Sequence, residues 1–523
     1  MTGVTSVAGQ LRHRHVTWSA FYAMIMVSTL AFGALAVASA PRTMPLALSL
    51  VAVNVAVALW RPLLALYLAT FLTLVGDAVV LPWYPFAKNL SSPESASFLA
   101  DAVIVSPLEL VLLACACGLG LRIASTPRER FRRGALLVPL LVLTVLVAYG
   151  LLRGLTSGGD LNVALFEARP LLYVPITYVL VTNLVRTPAQ LTRLLVVAMV
   201  AITLNSLNAL WHYRTLTPLE RVEVRELGAL GEHGASVHVA SLVVLALAVW
   251  LFPRCSTRLR LFLAVASIPS VTLLVLAERR AAVIALAVGL LVLCVFLHAR
   301  NRRTFWWFVP LLAVLTVGYL AAFWNAEGGL GFPAQTIKGV IAPGQLSEAD
   351  QSSNAYRDAE SYNVWSTIRA SPVLGIGFGQ RFYRPIPMAD ISFFVFWEYL
   401  PHNAFLWLWM KTGVIGFFAY LYLGGRALQA GARTVIAVRG GQHAALALTG
   451  LASVAMFLVF SYVDIAWGAR TALFLAVALA CCADFPEEEA EPDEGLPDGL
   501  LAAPDVPPAS RPEAVLVDGA RTR

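Results

Sequence analysis

Apolar runs of about 20 residues recur along most of the 523-residue chain, with short polar links between them. An α-helix of that length crosses the hydrocarbon core of a bilayer. The pattern therefore predicts an all-α fold, a polytopic transmembrane helical bundle of about 12–14 spans with one long extracytoplasmic loop. The candidate spans are 18–38, 43–60, 62–81, 101–121, 135–153, 169–186, 191–212, 236–253, 259–277, 280–299, 305–324, 403–424, 443–462 and 465–483.

One long polar interval separates the last three spans from the others. It contains many aromatic side chains, which a disordered tether lacks, and its segment 353–369 predicts an amphipathic helix. Because irregular backbone is excluded from lipid, chemistry is expected where this loop meets the membrane surface. The predicted divisions are a cytoplasmic N-terminus at 1–17, transmembrane helices at 18–324, the extracytoplasmic loop at 325–401, C-terminal transmembrane helices at 402–483 and a disordered, acidic, Pro-rich cytoplasmic tail at 484–523.

Composition supports a membrane protein, and the basic residues predict its orientation. Hydrophobic residues make up 59% of the chain and charged residues 13%, against about 25% charged in soluble domains. The net charge of +7 could indicate nucleic-acid binding, but the arginines fall in short links where they set topology, so no nucleic-acid partner is predicted. If the N-terminus is placed in the cytoplasm, every link on the inner side is basic, so both termini are predicted to be cytoplasmic. The first apolar run is too long for a signal-peptide core, which predicts an uncleaved first helix.

Four arginines lie on the predicted outer face, where this charge rule disfavours them. Arg279 and Arg280 stand between two apolar runs, Arg225 lies in a polar loop and Arg169 opens a helix. Charge so close to hydrocarbon is costly and usually functional. A guanidinium fits phosphate oxygens with a planar fork of donors, so these side chains are candidate diphosphate ligands. The structural alternatives are a solvated face or a pair with an adjacent carboxylate, such as Glu167 for Arg169.

His402 ends the long loop and, with Asn403, opens the apolar run that follows. An imidazole can take up a proton near neutral pH, and nearby cations would favour its neutral form. Those properties suit a general base, so His402 is the predicted catalytic residue, with a purely structural histidine as the alternative.

The run Gly375-Ile376-Gly377-Phe378-Gly379 precedes the histidine. A dinucleotide-binding fingerprint would need a strand before it, a helix after it and a βαβ unit, none of which the sequence indicates. Glycine permits turns closed to other residues, so a tight loop that re-enters the membrane surface is predicted. The six cysteines fall in predicted helices or near the inner face, and neither disulfides nor a metal site is predicted.

Three stretches together resemble the O-antigen ligase and O-antigen polymerase family of bacterial envelope glycosyltransferases. SPVLGIGFGQRF is similar to the glycine-rich end of the family's periplasmic loop, HNAFLWLWMKTGVIG to its His-Asn-x-aromatic-Leu motif, and LAERRAAVIAL to a helix start with Arg279 on the family's arginine. Arg225 and Arg357 are weaker matches. Lys411 departs from the family pattern, because an acidic residue is usual there.

The resemblance implies transfer of a glycan from a polyprenyl diphosphate to an acceptor hydroxyl, at the outer face of the bacterial cytoplasmic (inner) membrane, in cell-surface polysaccharide biosynthesis. It implies a lipid-linked glycan as donor substrate, no cofactor and no metal, with membrane lipids and other polysaccharide-assembly proteins as partners. His402 would remove the acceptor's proton and the arginines would hold the diphosphate. Asn403, Arg357 and the glycines Gly375, Gly377 and Gly379 would position the loop and the substrate.

Two alternatives stay open. A polymerase would extend lipid-linked repeats in place of ligating the finished glycan to a final acceptor. A lipid or polysaccharide transporter would show internal repeats and interrupted helices with charges at mid-membrane, whereas the candidate charges here gather on one face.

Overall fold

The computed structural model describes residues 44–486 with short gaps, and every regular element in that part is a helix. The gaps are 78, 87, 127–129, 222–229, 327–328, 343, 345–347, 392–393 and 465–466. The predicted span 18–38, the segment 1–17 and residues 487–523 of the predicted tail lie outside the described residues, as does Arg225.

Fifteen helices are described in this part of the chain. In order they are α1 Met44–Trp60, α2 Pro62–Val75, α3 Pro107–Ser125, α4 Leu137–Thr156, α5 Leu161–Leu184, α6 Pro188–Thr215, α7 Ala235–Leu251, α8 Thr257–Leu276, α9 Arg280–Arg300, α10 Arg302–Phe323, α11 Phe332–Ile341, α12 Glu348–Ala370, α13 Ala404–Ala437, α14 Gly441–Val463 and α15 Ala469–Ala483.

Nine of the described helices are long and apolar enough to cross a membrane, which confirms the predicted polytopic helical bundle. They are α3, α4, α5, α6, α8, α9, α10, α13 and α14. Four shorter apolar helices, α1, α2, α7 and α15, have 10–17 residues. Three predicted spans extend beyond their helices, because the run 62–81 is helical only to Val75, the run 101–121 only from Pro107 and the run 465–483 only from Ala469. The helix predicted at 169–186 already begins at Leu161, so Arg169 lies inside a helix and does not open one.

Asp77 accounts for the early end of α2. The helix is followed by Gly76 in an extended conformation. The Asp77 carboxylate then accepts hydrogen bonds from the backbone N–H groups of Val79 and Val80, at 3.0 and 3.2 Å. An aspartate that bonds its own backbone in this way offers the chain a turn in place of another helical turn.

Helix α14 lies at the centre of the bundle and packs against α7, α9, α13 and α15. Small residues allow these helices to approach closely. A methyl group added at Gly450 would lie 2.8 Å from the carbonyl oxygen of Ala478, and one at Gly289 would lie 2.6 Å from the sulfur of Met456. In contrast, α10 buries none of its residues, as expected of a helix that faces lipid.

The predicted loop 325–401 contains two helices, α11 and α12, and the second of these positions the candidate site. Helix α12 covers the segment 353–369 and packs against α13. It also contacts the start of α9, where the Arg280 guanidinium donates to the side-chain oxygen of Asn354 at 3.3 Å. The long loop is thus folded onto the end of the bundle at which α9 and α13 begin.

Candidate functional site

His402 is held by a carboxylate from the loop helix. Its ring Nδ1 lies 3.0 and 3.2 Å from the two carboxylate oxygens of Glu360, and its backbone N–H donates to the same group at 2.8 Å. Glu360 is 2% exposed, whereas the imidazole keeps 21% of its surface exposed. Asn403 caps α13 by accepting from the N–H groups of Phe405 and Leu406, at 3.0 and 3.1 Å. The imidazole is therefore fixed on one side and accessible on the other.

Glu360 changes the electrostatics that the sequence predicts for His402. Burial by itself would lower the pKa of the imidazole, but the hydrogen bond and charge of Glu360, aided by Asp464, raise that pKa above its ordinary value. Arg357 acts as the sequence predicts of a nearby cation, because it favours the neutral imidazole, but Glu360 and Asp464 outweigh it. The physical reason is that Glu360 both carries a negative charge and accepts a hydrogen bond from the ring, and the result is a more basic imidazole.

Asp464 interacts electrostatically with both His402 and Arg279, the residue before α9. It lies directly after α14, where it receives a hydrogen bond from His233 Nδ1 at 2.8 Å and an ion pair from Arg279 at 3.9 Å. Burial would raise the pKa of Asp464, but the charges of His233, Arg279 and His402 lower it, so the group stays ionised. We call His233, Arg279, Glu360, His402 and Asp464 the site cluster.

Arg279 is the predicted arginine that enters the site cluster. Its side chain is 7% exposed, and a second nitrogen donates to the carbonyl oxygen of Gly231 at 2.9 Å. Arg357, on α12, is close enough for its charge to act on both Arg279 and His402. Arg280 is directed to Asn354 of the same helix. Three of the predicted basic side chains thus meet where α9 faces the loop helix.

Arg169 is placed differently. Its guanidinium forms an ion pair with Glu109 at 3.1 Å, a hydrogen bond to Asn89 at 2.6 Å and another to the carbonyl of Ile104. The alternative considered from the sequence, a pair with Glu167, is wrong because Glu167 pairs with Lys411 at 2.8 Å. These contacts tie Arg169 to the first turn of α3 and to the segment before it.

The three predicted glycines form a loop that enters the bundle. Gly375, Gly377 and Gly379 have φ values of 68°, 85° and 78°, the left-handed region that favours glycine. A Cβ at Gly377 would lie only 2.2 Å from the backbone nitrogen of Gly154 on α4. Any larger residue would push the loop off that helix.

The same loop forms hydrogen bonds with α13 where that helix is interrupted. At Gly413 the backbone leaves helical geometry, with φ 74° and ψ −179°. The loop supplies the missing partners, because Ile376 N–H donates to the Met410 carbonyl at 2.7 Å and Val414 N–H to the Pro372 carbonyl at 3.0 Å. Irregular backbone at membrane depth requires such protein partners, since lipid offers none.

A small cavity of about 20 Å³ borders Arg279. Its polar wall includes Asp77 and Glu232, and the rest is apolar, with side chains such as Val239 and Leu273. A space of this size holds about one water molecule.

Sequence reasoning missed Glu360 and Asp464, and it did not give His233 a role. A lone carboxylate at the end of an apolar span, such as Asp464, is a recognisable signal of function. Glu360 offers no such signal, because it is one of several acidic residues on a polar helix. In the part of the chain that the structure describes, no three His, Cys, Asp or Glu side chains are grouped so as to hold a metal ion.

Comparison with known proteins gives two partial matches. Residues 265–421 match the family model described as O-antigen ligase. The chain is also 27% identical over 190 residues to the O-antigen ligase of Salmonella typhimurium. The two matches support the O-antigen ligase family. The resemblance seen in the three sequence stretches is thereby confirmed.

The two matches cover only part of each protein, which limits what can be concluded from them. The alignment with the Salmonella protein covers 32% of this chain and 47% of that relative, so it spans about half of the relative's length. The family segment 265–421 contains Arg279, Glu360, His402 and the glycine loop, but His233 and Asp464 lie outside it. Because the matches cover only part of each protein, the activity, the substrates and the partners belong to the proposal below.

Proposed function

We propose that this protein transfers a glycan from a polyprenyl diphosphate to an acceptor hydroxyl at the outer face of the bacterial cytoplasmic membrane, with both termini in the cytoplasm. The observation that carries the proposal is the site cluster, in which a basic imidazole and a buried guanidinium both act on Asp464. The family match to residues 265–421 adds independent support.

His402 acts as the general base in this proposal. Its Nδ1 is engaged with Glu360, so Nε2 is the atom left to receive the proton of the acceptor hydroxyl. The acceptor oxygen then attacks the anomeric carbon of the donor glycan. The bond between that carbon and the diphosphate oxygen breaks, its electron pair leaves with the diphosphate, and the proton stays on His402.

Arg279 stabilises the departing charge. A buried guanidinium placed where negative charge develops is worth more than one in water, because the surroundings screen it less. We assign Arg280 and Arg225 to the same diphosphate as outer ligands, and Arg357 and Asn403 to substrate and loop positioning. Arg169 has a structural role, since its donors are directed to Glu109, Asn89 and Ile104.

The test is glycan transfer by the purified protein in nanodiscs, with an undecaprenyl-diphosphate-linked glycan and candidate acceptor lipids. His402→Ala should lower the rate by about 10²–10⁴-fold, the usual contribution of one general base. The matched control is His298→Ala, because His298 is exposed at the far end of α9 from Arg279. A folded His402→Ala variant with full activity would refute transfer and would favour transport.

A second experiment separates ligation from polymerisation. The gene is deleted from its host and the lipid-linked glycans are resolved on a gel. Long lipid-linked chains accumulate if the protein is a ligase, whereas single repeat units accumulate if it is a polymerase. Unchanged lipid-linked glycans would contradict both activities.

A further inference from the structure

We propose that Glu360 is the positioning residue for His402, and that the loop helix α12 fixes the tautomer and orientation of the base. The inference rests on the proposed function in one respect, since it takes His402 as the group that accepts the proton. It adds a residue on a separate element, 42 positions away in sequence, on which the base depends.

Three contacts from one carboxylate carry the proposal. Glu360 accepts from the backbone N–H of His402 at 2.8 Å, and its two oxygens lie 3.0 and 3.2 Å from Nδ1. A carboxylate can only accept, so Nδ1 carries the hydrogen and Nε2 keeps its lone pair. The bond to the backbone prevents the histidine from moving as a whole, and the bonds to the ring prevent it from turning.

Helix α12 is itself anchored along the same buried polar face. Asn363 and Thr367 follow Glu360 at intervals of three and four residues, and both are buried. The Asn363 side chain donates to the carbonyl of Ile386 at 2.8 Å and accepts from its N–H at 3.0 Å, and Thr367 accepts from Tyr383 N–H at 2.8 Å. A carboxylate on a helix held in this way has a fixed position, which a positioning residue requires.

Other charged groups around His402 come from several elements. Arg357 lies on α12, Asp464 follows α14 and His233 precedes α7, and each interacts electrostatically with the imidazole. The ring of Tyr356 meets that of His402 edge-on at 6.0 Å. When Glu360 is made neutral, burial and Arg357 still lower the pKa of His402, and only Asp464 remains to raise it. The pKa of His402 must then fall.

The first test is the pH dependence of kcat/KM for Glu360→Gln in nanodiscs. Transfer requires neutral His402, so activity rises with pH through its pKa, and in the variant this acid limb should move to lower pH. The plateau should fall by about 10- to 100-fold, less than for His402→Ala, because the base remains but is weaker and less well oriented. Asp358→Asn is the matched control, since Asp358 is exposed on the same helix. An unshifted acid limb in Glu360→Gln would overturn the inference.

The second test does not depend on transfer. Diethyl pyrocarbonate modifies neutral imidazole, and mass spectrometry of the modified peptide against pH gives a midpoint for His402 alone. Glu360→Gln should lower this midpoint, and an identical midpoint in both proteins overturns the inference even if the protein has no transferase activity. An inactive wild-type protein with the expected midpoint shift would refute only the proposed function.

A third variant serves if Glu360→Gln does not fold. Glu360→Asp keeps the charge but shortens the side chain, so the acid limb should stay near that of the wild type while kcat falls and KM is little changed. Wild-type kcat in Glu360→Asp would contradict a positioning role.

Discussion

The buried ion pair beneath the glycine loop yields a sharp stability prediction. Glu167 and Lys411 are both fully buried, and their charged atoms lie 2.8 Å apart. Glu167 also accepts from Trp407 at 3.1 Å and from Gly379 N–H at 2.6 Å, while Lys411 donates to the carbonyl of Gln380 at 2.6 Å. The pair therefore joins α5, α13 and the loop. We consider Lys411→Met, which removes the cation and keeps a similar volume.

The expected loss follows from what the substitution leaves behind. Removing one partner of a buried pair destabilises by about 3–5 kcal/mol, because the other charge remains buried without compensation. Glu167 would keep two hydrogen bonds of the charge-assisted kind, worth about 1.5–3 kcal/mol each, so we expect the lower half of that range. Glu167→Gln alone should destabilise similarly, since it leaves Lys411 with uncharged partners, the carbonyl of Gln380 and the ring of Tyr399.

The double variant distinguishes this explanation from simple misfitting. With Glu167→Gln and Lys411→Met together, no buried charge remains, so the combined loss should be smaller than the sum of the two single losses by about 2 kcal/mol or more. The free energy of unfolding is measured by reversible SDS titration in mixed micelles, with tryptophan fluorescence as the signal. Lys338→Met is the control, because Lys338 is only partly buried over the ring of Trp324. Additive losses, or a Lys411→Met protein as stable as the wild type, would refute the reasoning.

Three further predictions concern other parts of the bundle. Gly154→Ala should lower both stability and transfer, because its methyl group would lie 1.8 Å from the backbone oxygen of Phe378. Protease resistance of the loop is the measurement, and Gly120→Ala is the control, because nothing lies within 4 Å of a methyl group there. Arg470→Met should destabilise by about 3–5 kcal/mol in the same SDS assay, since it leaves a buried Asp77 without the cation 2.8 Å away; an effect below 1 kcal/mol would contradict the pairing. The folded protein holds the pKa of Asp464 below its ordinary value. The wild type should therefore be more stable than Asp464→Asn at neutral pH, and this advantage should shrink as pH falls below about 4, the ordinary pKa range of an aspartate. A pH-independent difference would show that the charge of Asp464 contributes nothing.

Local sequence determined the helices and most of their limits. The apolar run predicted at 280–299 is the helix Arg280–Arg300, and the predicted spans 43–60 and 62–81 meet at Arg61, which separates α1 from α2. Apolar periodicity succeeds here because each span satisfies its own backbone within one continuous segment, as lipid requires. It failed where a charged residue inside an apolar run forms an ion pair with a residue far away in sequence, as Asp77 does with Arg470.

Only the tertiary structure decided which charges meet. The sequence indicated His402 and Arg279 as candidates, but their common partner Asp464 and the carboxylate of Glu360 come from other elements. Arg169 and Lys411 likewise took partners that no local pattern indicated. An ion pair forms only when two charged atoms come within a few ångströms of each other, although their residues can lie tens to hundreds of positions apart in sequence. Helix formation depends on neighbours within a few turns. The residue types of the site could therefore be predicted, and their pairing required the packed bundle.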